Sequence, residues 1–163
     1  MRKLILVCGF SFLSAAGGLA QGRVAVQWNC AQAAPVHSLD AGDQPNHVFS
    51  ISQAKCSATK GEVAGVKQHE GVGTEFHEVT GTSDRFHGVY VETLANGDKI
   101  TYTYKGTATV KAAGGLESAN HTWSATSGTG KFKGIKASGS CKGVGKADGT
   151  STFDCSGNYS IPK

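Results

Sequence analysis

The chain has 163 residues, 39% of them hydrophobic and only 17% charged, with 23 Gly and 3 Pro. That length supports one domain; disorder would need more charge and fewer β-branched and aromatic residues, and a coiled coil would need sustained Ala/Glu/Lys/Leu heptads. The formal net charge of +4 is spread out, without an arginine-rich run, which argues against nucleic acid as a partner.

Residues 1–20 open with Arg2-Lys3, continue through an apolar run from Leu4 to Leu13 and end in small residues at Gly18-Leu19-Ala20, the pattern of a cleaved secretory signal peptide. The apolar run is shorter than the ~20 residues that span a bilayer, and no later segment is apolar enough. A soluble domain at 21–163, secreted or periplasmic and with no membrane span after signal cleavage, is expected. Cleavage removes Arg2, Lys3 and Cys8, leaving a net charge of about +2 and four cysteines, Cys30, Cys56, Cys141 and Cys155. An even count in an oxidising compartment predicts two disulfides; a four-cysteine zinc site, the alternative, lacks a close Cys-x-x-Cys pair. The turn Ala147-Asp148-Gly149 centres a hairpin that sets Cys141 directly opposite Cys155, and Cys30–Cys56 follows by elimination.

Past residue 22 no stretch keeps an apolar period of about 3.6 residues, and Gly, Thr, Ser and Val recur too often for helices. The pattern predicts eight antiparallel strands near 23–31, 47–56, 62–80, 85–94, 98–111, 119–126, 131–145 and 150–161. The segment 62–80 alternates weakly, and its His69, Glu70, Glu75, His77 and Glu78 read as a solvated face. Asn96-Gly97 predicts a two-residue type I′ turn, which pairs His87 with Gly106, Val89 with Tyr104 and Val91 with Tyr102. On that register His87 takes the inner face and Phe86, Tyr90 and Glu92 the outer one. From Ile100 to Val110, apolar and aromatic residues hold the even positions and Thr or Lys the odd ones. In the last hairpin Ala137, Gly139 and Gly143 face Tyr159, Gly157 and Phe153, small often opposite large, as a tightly curved barrel interior requires. Lys131 and Lys133 fall on the inner parity and are expected beyond the mouth or before a bulge.

Gly128-Thr129-Gly130-Lys131-Phe132 resembles the Gly-Gly-Thr-Gly-Lys-Phe stretch of dirigent proteins and the related barrels of the allene oxide cyclase type. Phe86-His87-Gly88-Val89-Tyr90-Val91 and Ser50-Ile51-Ser52-Gln53-Ala54-Lys55 are similar to two further strands of that superfamily. The resemblance spans 23–161 and implies an all-β, eight-stranded antiparallel barrel. It implies chemistry inside the barrel without metal or organic cofactor, either steering phenolic intermediates or cyclising a fatty-acid epoxide. It also implies a tendency to assemble, so a homo-oligomer is an expectation. The cyclase carry-over stops at Val36 to Pro45, where no Glu-x-Asn pair precedes the acidic, Pro-containing turn.

The expected inner face collects His87, Tyr102, Tyr104, His121, Trp123 and Tyr159. Such a wall can bind a small hydrophobic or aromatic molecule, its polar tips fixing orientation. His87, His121 and Tyr104 are also candidates for proton transfer in a cofactor-free isomerase or cyclase, so whether the protein is an enzyme stays open. A filled structural barrel is the third reading, favoured if Phe86, Tyr90 and Leu94 form an exposed apolar patch. Asp40, Asp43 and His47 form a second cluster, able to reach a ligand if their loop folds over the mouth; turn chemistry is the alternative, and nothing there fixes a metal geometry. No Gly-x-Ser-x-Gly elbow, His-Glu-x-x-His pair or phosphate-cradling glycine loop is present.

Overall fold

The computed structural model describes residues 19–112 and 114–162; the expected leader, Cys8 included, lies outside them except for Leu19 and Ala20. The described residues form nine strands: β1 (Leu19–Cys30), β2 (Val36–Asp40), β3 (His47–Val63), β4 (Val66–Thr80), β5 (Ser83–Leu94), β6 (Lys99–Val110), β7 (Leu116–Gly128), β8 (Lys136–Gly145) and β9 (Ser151–Pro162). Eight of them alternate between lumen and exterior, and β2 lies outside the closed ring. All pairings are antiparallel, in the order β1-β9-β8-β7-β6-β5-β4-β3, and β1 pairs with β3 to close an eight-stranded barrel. Closure removes the free edges that an open sheet would present. Among the described residues, no helix is long and apolar enough to cross a membrane.

β2 was not predicted. It carries the course of β1 onward along β3: the Ala31 and Ala34 N–H groups donate to the Lys55 and Gln53 carbonyls, and Val36 then pairs with Ser52. β3 runs on to Val63 instead of ending near 56, because the reversal into β4 is a two-residue turn at Ala64-Gly65, both at positive φ (49° and 76°). The last hairpin has the expected register, with Cys141 opposite Cys155 and Gly143 opposite Phe153. Cys30–Cys56 and Cys141–Cys155 are both disulfides between directly paired residues, with Cα atoms 4.0 Å apart, which disposes of the zinc alternative.

The β5–β6 hairpin differs from expectation by one residue. Leu94 N–H donates to the Asp98 carbonyl (2.8 Å) and Gly97 N–H to the Leu94 carbonyl (2.9 Å), closing a three-residue loop in which Gly97 takes φ 85°. Asn96 holds the longer loop: its Oδ1 accepts the Asp98 N–H (3.1 Å) and its amide donates to the Asp98 carboxylate (2.9 Å). Tyr90 now pairs with Tyr102 and Gly88 with Tyr104. A slip of one residue exchanges the faces of a strand. Phe86, Tyr90, Glu92 and Leu94 therefore point inward while His87, Val89 and Val91 are exposed, and the apolar surface patch of Phe86, Tyr90 and Leu94 does not exist.

This register also completes the barrel's base. Leu94 and Ile100 are 1% and 0% exposed in a cluster with Val24, Val63, Phe132, Ile135 and Ile161. Burial of such side chains stabilises the fold by about 1.5–3 kcal/mol each. Phe132 arrives on a short 3-10 helix, Gly130–Phe132, where β8 had been expected to start near 131. Its turn is tied to the β5–β6 loop, because Lys131 N–H donates to Asp98 (3.1 Å) and Lys99 N–H to the Thr129 hydroxyl (2.8 Å). Lys131 and Lys133 are exposed ahead of β8.

Candidate functional site

Above the base the lumen holds a cavity of about 480 Å³. Aromatic rings from β1, β5, β6, β7 and β9 line it in two series. Trp28 meets Tyr90 at 5.3 Å, Tyr90 meets Tyr102 at 6.4 Å and Tyr102 meets Trp123 at 5.5 Å between ring centroids. Nearer the opposite end Phe86, Tyr104, His121 and Phe153 follow one another at 6.3, 5.4 and 5.6 Å. The rings fit because the strands under them lack side chains: a Cβ on Gly71 would collide with Tyr90, and one on Gly139 or Gly157 with Trp123.

Two polar groups interrupt this wall. In the first, His77 Nδ1 lies 2.8 Å from Asp84 Oδ2 and Nε2 lies 3.2 Å from Glu75 Oε2, while the Tyr104 hydroxyl donates to Glu75 Oε1 (2.8 Å). Burial alone would lower the pKa of His77, but its hydrogen bonds to Asp84 and Glu75 and their charges prevail and hold it at about 9, so it is an imidazolium at neutral pH. Burial works upward on Glu75 and is outweighed by hydrogen bonds from His77 and Tyr104, which keep its carboxyl below the usual range.

The second group lies nearer the base. Glu92 is fully buried and accepts the Tyr102 hydroxyl at Oε2 (2.8 Å). Burial pushes its carboxyl up to about 7, only partly offset by Tyr102 and the Gln68 side chain. Burial, followed by neighbouring carboxylates, also raises the Tyr90, Tyr102 and Tyr104 hydroxyls, which stay protonated. His121 is pushed down by burial and is neutral at pH 7. Among the described residues, six cavity-lining side chains keep a buried polar atom with no protein partner: Gln68 Oε1, Asp84 Oδ1, the Tyr90 hydroxyl, Glu92 Oε1, His121 Nδ1 and Trp123 Nε1. An unpaired buried polar atom costs about 1–3 kcal/mol, so their convergence on one cavity suits a binding wall better than a packed core.

Of the residues expected from sequence, Tyr102, Tyr104, His121, Trp123 and Tyr159 line the cavity. Tyr159 also has a structural task, its hydroxyl accepting the Ala64 N–H at the β3–β4 turn (3.1 Å). His87 does not belong to the lumen: the changed hairpin register leaves it exposed outside, stacked on Phe76 at 5.4 Å. Asp40, Asp43 and His47 do not line the cavity either. Asp40 accepts the Gly42 N–H (2.8 Å) as turn chemistry, and buried His47 is held by Asp43 (2.6 Å) with Glu78 at 3.5 Å. Glu75, His77, Asp84 and Glu92 also line the cavity and are not among the residues expected there, the sequence pattern assigning Glu75 and His77 to a solvated face. Their sequence signal is faint: glycines at 71 and 73 share parity with Glu75 and His77, whereas Val72 and Phe76 fall on the other face. A ring nitrogen of His121 and the sulfurs of Cys141 and Cys155 lie within 4.8 Å of one another, but the disulfide denies the site its thiolates.

Two solved structures share this architecture. The pterocarpan synthase dirigent protein matches with a TM-score of 0.53 at 9% identity, over 99% of this chain and 100% of that one. A conserved protein of unknown function from Rhodopseudomonas palustris matches with a TM-score of 0.50 at 11% identity, over 85% of this chain and 98% of that one. No protein-family model and no curated protein matches the sequence. The likeness shows a dirigent-like fold, in agreement with the resemblance seen in the sequence.

Proposed function

We propose that the chain is a secreted or periplasmic barrel, stapled by two disulfides, that binds a small hydrophobic or aromatic molecule in its lumen. The observation that carries this is the cavity of about 480 Å³, apolar at its base, walled by aromatic rings and set with six unpaired buried polar atoms. The disulfides support an oxidising compartment. A second reading, a cofactor-free isomerase or cyclase, gains from Glu92: a carboxyl titrating near 7 can give or accept a proton at neutral pH, and Tyr102 is bonded to it. Native mass spectrometry of the oxidised protein, purified from the exported fraction, tests the binding reading. The expected result is an additional small mass on the folded protein that is lost on unfolding; its absence, together with no uptake of added aromatic probes, would overturn the reading. The same spectrum counts subunits and so tests self-association.

A further inference from the structure

The lumen is acidic inside a basic chain. Lys and Arg number 16 against 12 Asp and Glu, yet among the described residues none that lines the cavity is Lys or Arg, whereas Glu75, Asp84 and Glu92 are all part of its wall. The imidazolium of His77 sits between Glu75 and Asp84 at 3.2 and 2.8 Å, so one positive charge already faces two carboxylates and none is left for Glu92. Glu92 has one oxygen bonded by Tyr102 and the other buried without a partner, and Gln68 adds a second unpaired acceptor. Tyr102 in turn has the rings of Tyr90 and Trp123 as neighbours, at 6.4 and 5.5 Å. Electron-rich ring faces and a buried carboxylate both attract a cation and disfavour an anion. An ammonium group offers three donors and no acceptor, which complements unpaired acceptors such as Glu92 Oε1 and Gln68 Oε1.

We propose that the lumen selects cationic amines with an apolar or aromatic body, seating the ammonium at Glu92 beside Tyr90, Tyr102 and Trp123 and laying the body along the remaining aromatic wall. This rests on the lumen-binding reading and specifies its ligand. Both tryptophans, Trp28 and Trp123, line the cavity, so intrinsic fluorescence reports on it directly. Titration at pH 7.5 with 4-phenylbutylamine, 4-phenylbutanol and 4-phenylbutyrate, backed by calorimetry, varies the head group on one body. The amine should bind at least about tenfold more tightly than the alcohol, as a charge-assisted contact in a dry site provides, with the carboxylate weakest. Glu92→Gln should bring the amine to the level of the alcohol, and Trp123→Phe should weaken the amine more than the alcohol. Equal affinity of amine and alcohol, or an amine preference that survives Glu92→Gln, overturns the proposal while leaving lumen binding intact. Failure of all three probes to bind overturns both.

Discussion

Glu92→Gln isolates the charge that this barrel encloses. The amide keeps the carboxyl's shape and can still accept the Tyr102 hydroxyl that lies 2.8 Å from Oε2. Moving a carboxyl from 4.5 to about 7 costs the ionised folded state about 3 kcal/mol, at about 1.4 kcal/mol per pH unit. The folded protein keeps this proton until about pH 7 and the unfolded chain loses it near 4.5. The stability associated with the neutral carboxyl is therefore fully present below about pH 4.5 and drains away as pH rises through 7. Glutamine does not titrate and escapes that loss. The variant should exceed the parent by less than about 1 kcal/mol at pH 5 and by about 3 kcal/mol at pH 8.5. His77 titrates in both proteins and cancels from the difference. Urea unfolding at the two pH values, disulfides intact and followed by tryptophan fluorescence, measures it. A difference independent of pH, or one that shrinks as pH rises, refutes the assignment of a buried, unneutralised carboxyl.

His77 gives the second pH signature: its folded value of about 9 lies above the ordinary 6.5, so its contribution is whole below 6.5 and is lost as pH rises through 9. Urea midpoints of the parent should fall across that window, and His77→Gln should flatten the slope. His77→Leu leaves buried Asp84 without its counter-ion and should cost about 3–5 kcal/mol at pH 7, with Asp84→Asn on that background recovering part of the loss. Gly139→Ala drives a methyl into the Ser156 carbonyl and the Trp123 ring; a loss of about 1–3 kcal/mol and a shifted tryptophan emission are expected, and an unchanged emission would count against the packing described. Cys141→Ser with Cys155→Ser opens a bridge of sequence separation 14 and should lower the urea-derived stability by about 3 kcal/mol, visible equally in the parent after reduction of that bond.

The closed barrel was legible because its clearest evidence is local. In the last hairpin the Ala147-Asp148-Gly149 turn, the facing cysteines and the small-against-large pairs all demand one register, and β8 and β9 adopt it. Elsewhere a single loop residue decided matters that composition could not. Asn96-Gly97 is compatible with a two-residue turn, and only the three-residue loop held by Asn96 and Asp98 brings Leu94 and Ile100 together at the base. A two-residue loop would set His87 in the lumen and Glu92 in water, reversing the role of every residue on β5. β2 escaped notice because its five residues are all exposed and show no buried alternation.

For the candidate site a second reason adds to the register: β4 turns Glu75 and His77 inward and Phe76 outward, and β5 sets Asp84 and Glu92 among its inward residues. Phe76, Val89 and Val91 are 50%, 43% and 38% exposed on the outside, while Glu75, His77, Asp84 and Glu92 face the lumen. Hydropathy applied strand by strand assigns those faces the other way round, since burial of charge is unfavourable unless something compensates it. Here Asp84, His77, Glu75 and Tyr104 compensate one another through hydrogen bonds of 2.8 to 3.2 Å, whereas Glu92 has Tyr102 on one oxygen and, on the other, no well-formed hydrogen bond, its remaining polar neighbour being the Gln68 side chain. A filled structural barrel would gain by replacing that carboxyl with an apolar side chain like those of the base two residues away. Its presence beside unpaired Tyr90, Trp123 and Gln68 atoms places a local energetic cost where the cavity is, and that placement is what supports the proposal of a ligand-binding lumen over a filled one.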